Sequence, residues 1–177
     1  MHKYKILIGA AVLAAVSILL QVYKIAYPVG VIDIDLVGVP WIVSTFLFGL
    51  TGGLLTSFVS AIGIMIYAPT GWIGALFKLI ATLTVVIIVG AVGAKFGFGK
   101  KPMIAAFIAA LIARPVLLTI FNYYFGIPLF YGIPTETAIQ QFPIWVLFVP
   151  NAILAITDFW IAYFLVFSTR LKARMND

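Results

Sequence analysis

Two asparagines are the residues of this sequence best suited to hold a ligand. Asn122 opens the stretch NYYFGIPLFYG, and Asn151 closes FVPN at the start of another apolar run. A carboxamide both donates and accepts, so two of them suit a polar, hydrogen-bonding ligand. Polar groups beside apolar segments are costly unless paired. Tyr123, Tyr124 and Tyr131 follow Asn122 in the same stretch and add rings and hydroxyls. The pattern predicts a pocket for a polar ligand at the mouth of a helical bundle.

Three ionisable residues, Lys78, Arg114 and Asp158, fall inside apolar runs. Each costs roughly 2.5–3.5 kcal/mol at mid-bilayer on insertion scales, so each must face the bundle interior or a partner. Lys78 lies near the outer end of its run, at the predicted height of Asn122 and Asn151, and joins them as a ligand candidate. Arg114 and Asp158 admit two readings: an internal ion pair, Arg114–Asp158 or Lys78–Asp158, or part of a proton relay. With no cysteine and a single histidine, His2, no ordinary metal site is expected. There is no Walker A glycine loop for ATP.

The elements that must position these residues are membrane spans. The chain has 177 residues, of which 64% are hydrophobic and 9% charged, with a mean hydropathy of +1.21. A soluble domain carries roughly 25% charged residues, so this surface must face lipid. The reading is an all-α, polytopic integral membrane six-helix bundle forming a single domain over residues 1–177. Spans are expected over about 4–27, 39–50, 54–68, 72–94, 102–124 and 143–169. The second and third are short and read as a tilted or partly embedded hairpin, turning at Gly52–Gly53. VIDIDLV, before them, alternates as a short strand or hairpin would. Span 5 is expected to give way to a loop from Gly126 to Phe142. Trp41, Tyr67, Trp72 and Trp145 stand near span ends, as an interfacial belt would.

The net charge of +6 is distributed asymmetrically. Lys3 and Lys5, then Lys95, Lys100 and Lys101, then Arg170, Lys172 and Arg174 all fall on one side of a six-span topology. The 126–142 loop has no lysine or arginine. This is the positive-inside pattern, placing both termini in the cytoplasm and speaking against nucleic acid as the partner. Span 1 carries Ala10, Ala11, Ala14 and Ala15 in fours, a spacing that lets another helix approach closely, although alanine is also a common helix former.

In order and spacing, these motifs resemble the substrate-binding (S) components of energy-coupling-factor (ECF) vitamin transporters, particularly the riboflavin-specific branch. VIDIDLVGVP keeps the family's Asp35 and Pro40, GWIGALFKLIAT resembles its span 4 opening, and NYYFGIPLFY and FVPNAIL resemble the branch's loop after span 5 and its span 6 opening. The resemblance implies a substrate-capture subunit of the cell membrane, not an enzyme and without a cofactor, that binds its vitamin at the outer face. Its implied partners are a transmembrane coupling (T) component, docked on the span 1 alanine face, and two ATPase subunits. It implies ligand contacts from Asn122 and Asn151, and Asp35 joins the candidates. Two positions depart from the branch: Leu154 stands where a lysine is common, and Lys78 replaces an asparagine, so Lys78 is read as supplying the missing cation. The alternatives are another small polar-aromatic vitamin as ligand, a stand-alone secondary transporter, or a membrane scaffold whose amides merely cap helices.

Overall fold

The computed structural model describes residues 2–22, 24–26, 33–68 and 71–169. Helix α1 covers His2–Leu20; strands β1 (Lys24–Ala26) and β2 (Asp33–Asp35) follow. Then come α2 (Gly38–Tyr67), α3 (Gly71–Phe96) and α4 (Lys100–Phe121). A π-helical turn (Asn122–Gly126) carries α4 into α5 (Ile127–Tyr131). Helix α6 (Thr135–Gln141) crosses to α7 (Ile144–Tyr163), which ends in a second π turn (Phe164–Ser168). Five helical segments are long and apolar enough to cross a membrane: Lys3–Leu20, Gly38–Tyr67, Gly71–Phe96, Lys100–Tyr131 and Ile144–Ser168.

The expected second and third spans are the two arms of α2. Gly49 is non-helical within it, at φ 74° and ψ −169°. Thr56 Oγ1 donates to Ser44 Oγ at 2.8 Å. In a straight helix those residues would stand about 18 Å apart, so the chain folds back at Gly49. The turn therefore lies at Gly49, not at Gly52–Gly53. Gly52 and Gly53 instead belong to the second arm, and a Cβ on Gly53 would collide with Thr45 and with Val86 Cγ1. The arms touch through small residues, as closely packed membrane helices do. The first arm, 38–48, rises about 16 Å, about half the roughly 30 Å hydrocarbon thickness. It is sheathed by other helices rather than by lipid: Trp41, Ile42 and Phe46 are fully buried.

Span 1 is shorter than expected. Its helix stops at Leu20 rather than near Tyr27, because the chain enters an antiparallel hairpin with Lys24 opposite Asp35 and Ala26 opposite Asp33. Tyr27 lies outside the described residues, as do Arg170, Lys172 and Arg174. One stripe of α1, namely Ala10, Ala14, Ser17 and Gln21, is buried. Ser17 Oγ donates to Val37 O at 2.9 Å and accepts from Trp41 Nε1 at 2.7 Å. Trp41 is thus an interior residue and not part of an interfacial belt, whereas Tyr67, Trp72 and Trp145 are exposed.

The two ends of the bundle differ. At the end with the Gly49 turn and the α3–α4 connection, Phe46 is ringed edge-on by Phe98, Phe159, Tyr163 and Phe167 at 5.3–6.1 Å. With lipid as apolar as the helices, such packing contacts hold the bundle together. The opposite end, where α1 finishes and the hairpin sits, holds a cavity.

Candidate functional site

The site helices are irregular where they meet the cavity. Pro128 lacks an N–H, and its ring would press on the carbonyl of Tyr124 in a regular helix. The π turn over Asn122–Gly126 widens the backbone ahead of it, so the helix runs on to Tyr131 instead of ending near Tyr124. Gly132, left-handed at φ 66°, ends it. The expected 126–142 loop thus consists largely of α5 and α6. Gly126 is required within the π turn: a Cβ there would stand 2.8 Å from Asn122 Oδ1 and 3.0 Å from the Phe77 ring. Pro150, immediately before Asn151, and Pro115, immediately after Arg114, lie inside α7 and α4, and each removes one backbone donor there.

The cavity encloses about 180 Å³. Its mouth is polar. Asn122 donates through Nδ2 to Leu118 O at 2.7 Å, and Asn151 through Nδ2 to Leu147 O at 2.9 Å. Each amide thereby fixes its own orientation on the preceding turn. Its Oδ1 takes no donor among the described residues. Across from them, Lys78 Nζ forms an ion pair with Asp35 Oδ2 and donates to Gln21 Oε1 at 2.6 Å. Asp35 Oδ1 accepts from Val37 N at 2.9 Å, so the carboxylate also pins the chain as it leaves the β-hairpin. Below the amides the wall is largely apolar, with Ala81, Leu118 and Leu154 beside one hydroxyl, that of Thr82, and the Phe77 and Phe130 rings to the side. The floor is a second ion pair, Arg114 Nη1 to Asp158 Oδ2 at 2.9 Å, with both residues buried.

Five of the sequence-derived ligand candidates therefore share one cavity: Asn122, Asn151, Lys78, Asp35 and Tyr131. Tyr123 and Tyr124 do not line it. Tyr123 is buried behind the π turn against Ile127, Ala138 and Leu147, and its hydroxyl donates to Phe142 O at 2.5 Å. Tyr124 is exposed on the outer face. Lys78 and Leu154, the two departures from the riboflavin branch, both line the cavity. Arg114 and Asp158 form an ion pair and at the same time face the cavity. Gln21 was not anticipated; a polar residue one turn past the buried Ser17 on the same α1 stripe was the available signal.

The proposed docking alanines divide between two faces. Ala10 and Ala14 are buried, and the Ala10 carbonyl accepts from Thr56 Oγ1 of α2 at 3.4 Å. Ala11 and Ala15 lie exposed on the outer side of α1. Among the described residues there is no cluster of three or more metal-ligating side chains.

Comparison with known proteins bears on this site. The sequence matches no curated protein. The fold is similar to a solved structure described as the S component of a bacterial ECF transporter, with a TM-score of 0.80 over 99% of both chains at 22% identity. Residues 5–168 match the family described as "ECF transporter, substrate-specific component". That match spans nearly the whole chain, from α1 through the second π turn, and on it the protein belongs to the substrate-specific component family of ECF transporters.

Proposed function

We propose that this S component captures riboflavin or a closely related flavin at the outer face of the cell membrane. It then passes the vitamin inward through a coupling module of one transmembrane T component and two ATPase subunits. The observation that carries the reading is the juxtaposition at the cavity mouth: two amides with available oxygens, Asn122 and Asn151, beside the Phe77 and Phe130 rings. Amide oxygens suit the donors of a flavin's pyrimidine edge or its polyol chain, and the rings and Leu118 suit its apolar face. Lys78 adds a cation from the facing helix, in the cavity that Leu154 also lines.

A titration of purified protein with riboflavin tests this, read by quenching of flavin fluorescence. Wild type should bind. Asn122→Ala and Asn151→Ala should each cost about 1–3 kcal/mol, roughly 5- to 150-fold in affinity, by leaving a buried ligand group unpaired. An absence of flavin binding at tens of micromolar would redirect the search to another small polar-aromatic vitamin, for which the exchanges at Lys78 and Leu154 are the motive. Gradient-driven uptake by the chain alone, without ATPase subunits, would favour a secondary transporter instead.

A further inference from the structure

The floor of the cavity has hydrogen-bonding capacity that the fold does not use. Arg114 is 3% exposed and Asp158 1% exposed, and they meet through one contact, Nη1 to Oδ2. Arg114 Nε and Asp158 Oδ1 are buried without a partner among the described residues. Each such unmade bond is a cost to the folded state, and a larger one for charged groups. A purely structural pair would gain by closing both contacts in the fork geometry open to arginine and carboxylate. The carboxylate is also given room: a Cβ at Gly38 would collide with it.

The vertical arrangement matters as much as the unused atoms. Asn122 and Arg114 are about two helical turns apart on α4 and its π extension, and Asn151 and Asp158 are about two turns apart on α7. Each separation is roughly 10–12 Å along the axis. Leu118 lies midway on one helix and Leu154 on the other. The cavity therefore has a polar mouth, an apolar waist and a polar floor, and the floor is neutral overall because its two charges cancel.

We propose that Arg114 and Asp158 are a second ligand anchor. Arg114 Nε–H donates to an acceptor on the buried end of the substrate, and Asp158 Oδ1 accepts a hydrogen from the same group or its neighbour. The ligand class is an elongated, uncharged molecule with an apolar middle and an acceptor–donor group at its inner end. In the flavin that this inference presupposes, that group is a hydroxyl of the polyol chain or the carbonyl and N–H of the imide edge. Fixed donors that become satisfied only on binding make such a site selective, because an analogue lacking the matching group leaves them unpaired.

The test must separate binding from folding, since removing one member of a buried pair strands the other charge. Replacing both members by apolar residues of similar size is often neutral or stabilising. The variant is therefore Arg114→Met/Asp158→Leu, purified in detergent beside wild type, with thermal unfolding to establish that it is folded. Both are titrated with riboflavin and with lumiflavin, the same isoalloxazine ring with a methyl group in place of the polyol chain. The expected result is a variant at least as stable as wild type whose riboflavin affinity falls about tenfold or more. An equal fall for lumiflavin assigns the imide edge to the floor; a fall for riboflavin alone assigns the polyol. A folded variant that binds both ligands within about twofold of wild type would overturn the proposal and leave a tie between α4 and α7 only. If the double variant unfolds, Arg114→Lys, which keeps a cation beside Asp158 but removes the Nε–H, is titrated in the same way and judged by the same outcomes. Wild type that binds no riboflavin overturns the flavin reading itself and this inference with it, a result separable from the others because it needs no variant.

Discussion

Lys78 reaches from α3 to the carboxylate that anchors the end of the β-hairpin, and this contact governs what its removal should do. Lys78→Met removes the cation that meets Asp35, itself buried; Asp35→Asn removes the charge that Lys78 meets at Oδ2. Either change should also loosen the chain at Val37 and the Gln21 contact. If the pair acts as a unit at the cavity mouth, both single variants weaken riboflavin binding by similar factors, and Asp35→Asn/Lys78→Met is no worse than the weaker of them. Fluorescence titration of the three variants checks this; fully additive losses would mean that the two side chains touch the ligand independently. At this scale the sequence was informative where cost dictated position. An amide or an ammonium in an apolar run has to face a cavity or a partner, which points Asn122, Asn151 and Lys78 inward. Tyr123 and Tyr124 were harder, because neighbours on a helix diverge by about 100°. Adjacency to Asn122 in sequence turned them away from the site it faces. The role of Arg114 and Asp158 on the cavity wall was recoverable from spacing, two turns below each amide, but only once both helices were known to line the same space.

The turn at Gly49 shows how one backbone conformation fixes an element. Its φ of 74° with ψ of −169° lies in a region that is essentially reserved for glycine. A Cβ there would meet nothing within 4 Å. Gly49→Ala therefore isolates backbone strain from crowding. It should destabilise the protein by about 1–3 kcal/mol, read as a lower midpoint of thermal unfolding in detergent. An unchanged midpoint would show that the reversal tolerates an L-residue. The hairpin was visible in advance from the shortness of its two apolar runs. Its turn was misplaced because Gly52–Gly53 is the stronger local breaker signal, yet those glycines serve the close approach of the arms. The end of span 5 was misjudged for a related reason. Glycine and proline read as loop in Gly126–Ile127–Pro128, but a π turn accommodates both and carries the helix onward.

For the molecule as a whole, the charge pattern and the path of the chain agree on a topology. The exposed Lys3, Lys5, Lys95, Lys100 and Lys101 lie at the end away from the cavity, as the positive-inside rule requires if the cavity opens outward. The native chain has no cysteine, so single cysteines introduced at positions 2 and 177 can be labelled without background. Both should be protected from impermeant reagent in intact cells, and outside labelling of either end would reverse the orientation. The same frame decides where a coupling partner would dock. Helix α1 is the least enclosed of the spans, with Leu7, Ile8, Val12, Val16 and Leu19 facing outward around Ala11 and Ala15. Small residues set among larger ones let a second helix approach. Ala11→Leu or Ala15→Leu should therefore suppress uptake in cells that carry the coupling subunits, while riboflavin binding by the isolated subunit stays within about twofold. Ala10→Leu and Ala14→Leu should behave differently. Those positions are sealed against α2, where added bulk costs typically 1–3 kcal/mol, so they should lower stability and binding together. Equal behaviour of the two pairs would mean that the outer alanines are merely lipid-facing and that the coupling surface lies on another helix.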